Sequence, residues 1–154
     1  MLSKGKMHRK RTQSRECALQ ILYQYEMNPE PMAEILKLFW AQQDEVFSDE
    51  VHNFAEKLAL GVMENQSEID KVLEKYADNW ELSRMAMIDR NVMRLATYEL
   101  LYLADVPPKV TLNEAVNLAK KFSQEESGKF VNGILDKINH TEKPKNPKDH
   151  APSE

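Results

Sequence analysis

Apolar side chains recur every three or four positions through most of the chain, and no stretch alternates apolar and polar residues for long. That period belongs to helices with one face against a core. The first helix is predicted to begin near Thr12 or Ser14, either of which can cap it; Cys17, Ala18, Ile21, Leu22 and Tyr25 form its apolar stripe. Asn28-Pro29 ends it, and a second helix begins near Pro31 and buries Met32, Ile35, Leu36 and Phe39. Ser48, followed by Asp49 and Glu50, reads as the N-cap of a third helix carrying Val51, Phe54, Ala55, Leu58 and Val62. Ser67 with Asp70 resembles a capping box and predicts a fourth helix with Ile69, Val72, Leu73 and Tyr76. A long fifth helix covers roughly 84–103, with Ile88, Val92, Leu95, Ala96 and Leu100 on its core face, and Pro107-Pro108 stops it. Thr111 with Glu114 reads as a second capping box, opening a sixth helix through Phe122. A last helix runs from about Ser127 to Ile138. The pattern therefore predicts an all-α protein of about seven helices.

Charge changes the picture more than composition does. The 154 residues carry a formal net charge of −4. Residues 1–15 nevertheless hold six Lys/Arg (Lys4, Lys6, Arg9, Lys10, Arg11, Arg15) and no acid, whereas 16–138 are strongly acidic. A cationic arm on an acidic body suits a phosphate-bearing ligand at the arm and a basic protein partner on the body. The bland alternative, a solvated arm with no task, stays open at this point. Residues after Thr141, with Pro144, Pro147 and Pro152, read as a disordered tail. No apolar run approaches the ~20 residues of a membrane helix, and no signal peptide is visible. A lone Cys17 suits a reducing cytoplasm.

Catalytic constellations are not evident. His8, His52, His140 and His150 do not stand at ligand spacing with one another or with Cys17, so no metal is expected. There is no glycine-rich phosphate loop, and no cofactor is called for. Cys17 lies on an apolar stripe and reads as a small buried hydrophobe. The chain is read as a non-enzyme.

Residues 105–138, DVPPKVTLNEAVNLAKKFSQEESGKFVNGILDKI, carry the most specific signal. Glu114 reads as a helix cap there. Phe130 is either plain core or an exposed aromatic able to stack a base beside Lys121 and Lys129. Asn132-Gly133 in mid-helix is unusual, and Gly133 reads as a site of close packing against a neighbouring helix. The NEAVNLAKKF and KFVNGILDK runs, with IDRNVMRLATYELLYL at 88–103 and SRECALQILYQYE at 14–26, resemble the NusB family over about residues 9–138. Ser123 departs from the Gly common after the Phe in relatives, and Glu126 from the common Asp.

That resemblance implies two antiparallel three-helix sub-bundles. It divides the chain into a basic arm (1–11), a helical RNA-binding domain (12–140) and a tail (141–154). It also implies transcription antitermination: binding of the boxA element of nascent ribosomal RNA transcripts together with NusE, a small-subunit ribosomal protein, with other Nus factors and RNA polymerase engaged indirectly. The implied RNA-binding residues are Arg9, Lys10, Arg11, Arg15, Tyr23, Lys121, Phe122, Glu126 and Phe130. The implied partner-binding residues are Asp89, Arg90 and Tyr98. Two rivals stand beside this reading. One is a protein-interaction adaptor that binds a basic partner without touching RNA. The other is an RNA cytosine methyltransferase, whose cofactor-binding domain has no counterpart in these residues. Self-association through the partner face is a further possibility.

Overall fold

The computed structural model describes residues 4–77, 82–142 and 144. Among them are six α-helices, one short 3-10 turn and no strand. The helices are α1 (Lys4–Met27), α2 (Met32–Ala41), α3 (Asp49–Tyr76), α4 (Met87–Tyr102), α5 (Pro108–Phe122) and α6 (Ser127–Thr141), with the 3-10 turn at Leu82–Arg84. They divide into two compact units, residues 1–63 and 64–154.

In the first unit, Cys17, Ala18, Ile21 and Leu22 of α1, Met32, Ile35 and Phe39 of α2, and Val51, Ala55, Leu58 and Val62 of α3 are all buried. Helix α1 begins at Lys4, well before the cap expected at Thr12 or Ser14. The hydroxyls of Thr12 and Ser14 instead donate backward, to the carbonyls of His8 and Lys10, each at 3.0 Å. That is how such residues behave inside a helix. The Ser14 hydroxyl also lies 3.0 Å from the Val51 carbonyl, which ties α1 to α3. Ser48 does cap α3, accepting from the Val51 amide at 3.4 Å.

The predicted break at Ser67 is absent: α3 runs without interruption to Tyr76. Asp70, expected to complete a capping box, is occupied elsewhere. Its carboxylate accepts a two-pronged bond from Arg94 of α4, Nε to Oδ1 at 2.8 Å and Nη2 to Oδ2 at 3.0 Å. With neither proline nor glycine between Val62 and Tyr76, nothing local stops the helix.

Helix α4 organises the second unit. Every residue from Asp89 to Glu99 is buried, polar ones included, so the helix is enclosed on all sides rather than along one stripe. Several of the buried polar groups find partners within the helix or on neighbouring elements, while Thr97 Oγ1 and Asp89 Oδ1 find none. Arg94 pairs with Asp70 and with Asn91 Oδ1 at 3.1 Å. The Arg90 guanidinium donates to the carbonyls of Leu82 and Met85, holding the 3-10 turn in place. Glu99 accepts from the Thr111 hydroxyl of α5 at 2.8 Å. Thr111 therefore does not cap α5. Pro108, with its fixed φ and no N–H to satisfy, already sits in the first turn and starts the helix three residues earlier. Glu114, read as a cap, is buried.

The turn after α5 passes through Ser123 at φ −120°, so the positive φ that would call for glycine is not present there. Helix α6 closes the unit with Val131, Ile134, Leu135 and Ile138 inside. It extends to Thr141, and Glu142 accepts bonds from Lys75 and Tyr76 of α3, so the chain is anchored where a disordered tail was expected to begin. Residues 145–154 of the expected tail lie outside the described residues.

Gly133 corrects another expectation. A Cβ there would meet nothing within 4 Å, so no neighbouring helix demands glycine. Close packing falls on Gly128, where a Cβ would come 2.8 Å from Lys120 Cε and 3.2 Å from Val116 Cγ1 of α5. Gly133→Ala is expected to stabilise the fold by about 0.5–1 kcal/mol, through helix propensity and a less flexible unfolded chain. Gly128→Ala is expected to lower stability by roughly 1 kcal/mol, as overpacking outweighs propensity. Urea unfolding of the two variants beside the parent checks the opposite signs.

Candidate nucleic-acid interface

The basic residues of the N-terminal arm, Arg9, Lys10, Arg11 and Arg15, all stand on α1, and the helix distributes them. At 100° per residue, Arg9 and Arg11 point about 160° apart, while Arg11 and Arg15 share a face and Arg9 and Tyr23 share another. The run His8-Arg9-Lys10-Arg11 is thus not one strip of charge. Arg9 and Tyr23 are exposed, Tyr23 at 43%.

Helix α3 meets the other three. Lys10 Nζ lies 2.6 Å from Glu50 Oε2, an ion pair at the surface. The Lys10 ammonium holds the Glu50 carboxyl below its usual range by hydrogen bonding and charge. The Arg11 guanidinium sits over the Phe54 ring at 4.2 Å from its centroid, and that of Arg15 at 5.6 Å from the same ring. Arg15 is only 2% exposed. In this conformation the Arg15 guanidinium is enclosed beside the Phe54 ring rather than presented at the surface. From the sequence Glu50 reads only as part of a helix N-terminus and Phe54 only as core; their contacts with the arm depend on α1 lying against α3, which no local pattern encodes.

In the second unit, Lys121 is exposed at the end of α5, its ammonium 5.4 Å from the centroid of the half-buried Phe122 ring. Glu126 is exposed at the start of α6, and Phe130 is half-buried one turn on. Phe130 is thus neither sealed core nor a free surface aromatic. It lines an open cleft of about 350 Å³ with Arg84, Met85, Asp89, Glu126 and Ser127. Asp89 and Arg90 were expected to serve a partner and Glu126 and Phe130 to serve RNA, yet Asp89, Glu126 and Phe130 share this one cleft. Arg84 joins them because the 3-10 turn carries it there, a placement with no signal in the sequence.

Within the cleft, Asp89 Oδ2 accepts from the Ser127 hydroxyl at 3.1 Å, and Ser123 Oγ lies 3.2 Å from the same hydroxyl. Asp89 Oδ1 is buried without a hydrogen-bond partner. Arg90 is committed to the Leu82 and Met85 carbonyls and acts on the cleft by fixing its wall. Tyr98 is 9% exposed and stacks on Tyr102 at 5.3 Å between ring centroids. Burial raises both phenols above their usual range.

Two observations bear on chemistry. Among the described residues, no group of three or more His, Cys, Asp or Glu is placed to hold a metal ion. Cys17 is buried, and desolvation pushes its thiol up to about 12. Among the described residues no helix is long and apolar enough to cross a membrane.

Fold and surfaces together define a small all-helical protein with a cationic leading helix and an aromatic cleft at its closing one. The chain belongs to the NusB family: the family pattern matches residues 12–140. The transcription antitermination protein NusB of Thermodesulfovibrio yellowstonii is 43% identical over 137 residues, 84% of this chain and 91% of that protein. The transcription antitermination protein NusB of Chloroherpeton thalassium is 48% identical over 126 residues, and the match spans 82% of this chain but only 59% of that longer protein. Among solved structures, NusB of T. maritima superimposes with a TM-score of 0.79 at 39% identity, covering 90% of this chain and 96% of that one. NusB in a crystal structure of the antitermination factors NusB and NusE with double-stranded RNA gives 0.78 at 30% identity, covering 86% and 97%.

The thiol at about 12 has a direct consequence. At pH 8 it stays protonated in the folded protein, and Cys17 is expected to resist Ellman's reagent until denaturant is added. Rapid labelling of the native protein at that pH would show a reactive, accessible thiol instead.

Proposed function

We propose that this protein is a transcription antitermination factor that binds boxA-type single-stranded RNA of nascent ribosomal RNA transcripts together with NusE. The pair suppresses premature termination by RNA polymerase, and the protein acts in the cytoplasm. The observation that carries this reading is the likeness, over 86% of the chain, to NusB in a complex with NusE and RNA. The surfaces fit the task. Arg9, Lys10 and Arg11 offer charge-assisted contacts to phosphates, and such contacts make affinity fall steeply with salt. Tyr23, Phe122 and Phe130 offer rings for unstacked bases, with Lys121 and Glu126 beside them for backbone and base-edge contacts.

The partner face centres on α4. Asp89 contributes through the cleft, Tyr98 through its stack with Tyr102, and Arg90 by holding the 3-10 turn that walls the cleft. NusE bound there extends the surface available to RNA, so the pair binds more tightly than either protein alone. Other Nus factors and RNA polymerase join through that pair. The role is binding rather than catalysis: the one thiol is buried and protonated, and Asp89 accepts a hydrogen bond from Ser127.

Reversing charge at Arg9 and Arg11 together is expected to weaken binding of a boxA-type oligonucleotide by at least tenfold at moderate salt. It should also flatten the dependence of log affinity on log salt by about one unit per lost phosphate contact, with helical content unchanged. Fluorescence anisotropy titrations with single-stranded and double-stranded oligonucleotides, with and without NusE, measure all of these. Unaltered affinity in the reversed variant would remove α1 from the RNA surface. Binding of NusE with no RNA affinity in either form would favour the adaptor reading.

A further inference from the structure

We propose that Phe54 is a positioning residue for RNA phosphate: its ring holds the guanidinium of Arg11 in place, charged and without a competing carboxylate. The inference deepens the RNA-binding reading above and rests on it. Phe54 stands in the second turn of α3 and is 8% exposed, so its ring is fixed by the core of the first unit. The half-exposed Arg11 guanidinium lies 4.2 Å from the ring centroid, and the buried Arg15 guanidinium 5.6 Å from it. Two cations therefore converge on one aromatic ring.

The choice of an aromatic over an acid has a physical consequence. A ring attracts a cation through its quadrupole and leaves the charge intact. A carboxylate neutralises the charge and occupies its donors. Both arrangements occur side by side on the same two helices. Lys10 is held by Glu50 at 2.6 Å, so a phosphate has to displace a carboxylate to reach it. Arg11 meets no carboxylate among the described residues, and its contact with the Phe54 ring occupies none of the guanidinium's N–H donors. The side chain is ordered before RNA arrives, which removes part of the entropic penalty of binding through a long flexible side chain.

The test uses the full chain and a single-stranded boxA-type oligonucleotide in anisotropy titrations, with circular dichroism and melting as controls on folding. Phe54→Leu is expected to bind roughly three- to tenfold more weakly, the scale of a lost cation–π contact. Phe54→Trp and Phe54→Tyr keep a ring and are expected to restore parental affinity. Arg11→Gln lowers affinity on its own, and adding Phe54→Leu to it produces no further loss, because the ring acts through that guanidinium. Phe54→Met preserves volume without a ring and carries the comparison if the leucine variant folds poorly. Parental affinity in Phe54→Leu or Phe54→Met, or an equal loss with and without Arg11, overturns the proposal while leaving RNA binding intact. Failure of the parent protein to bind RNA overturns both the proposal and the reading beneath it.

Discussion

The seating of α1 on the opening turns of α3 is the contact on which the rest of the cationic surface depends. Ser14 reaches the Val51 carbonyl, Lys10 pairs with Glu50, and Arg11 and Arg15 share the ring of Phe54. Each of these requires residues 4–15 to be helical and to lie along α3. A flexible basic arm would offer the same number of charges with none of them placed. An ordered helix spreads them, so that some face outward and others are spent on packing. The useful charge on α1 is therefore smaller than the count of basic residues suggests, and better defined.

The second unit solves a different problem. Helix α4 carries six buried polar side chains, a burden that hydrogen bonds to its neighbours offset. Arg94 with Asp70 and Glu99 with Thr111 meet that demand and fix α3 and α5 about the central helix. Arg90 does the same for the 3-10 turn. The cleft holding Asp89, Glu126 and Phe130 is a product of this bonding: its walls come from the 3-10 turn, the first turn of α4 and the first turn of α6. Asp89 Oδ1, buried without a partner, is the polar atom of that cleft left unmet.

Much of this architecture can be read from the amino-acid sequence because it is local. The apolar period of three and four, the Ser48 cap, the stop before Pro107 and the burial of Cys17 all depend on residues within a few positions of one another. The failures have one cause in common. A hydroxyl or carboxylate near a possible helix start fits equally well inside a helix if a distant partner claims it. Thr12 and Ser14 bond back into α1, Asp70 answers Arg94 across 24 positions, and Thr111 answers Glu99 across 12. Gly133 and Gly128 look alike as letters and differ only in what lies opposite. At the site, the identities of the exposed cations and aromatics were readable from the resemblance. The burial of Arg15, the ring beneath Arg11 and the presence of Arg84 beside Phe130 were not, since each arises from packing between segments far apart in the chain.

The central claim is that guanidinium groups ordered on α1 hold the transcript. The most direct measurement follows the arginine side-chain Nε–H resonances as a boxA-type oligonucleotide is added to isotope-labelled protein. The account predicts that the resonances of Arg9 and Arg11 move with RNA, while that of Arg94, bound to Asp70, stays in place. RNA binding that leaves both α1 resonances unmoved would contradict it.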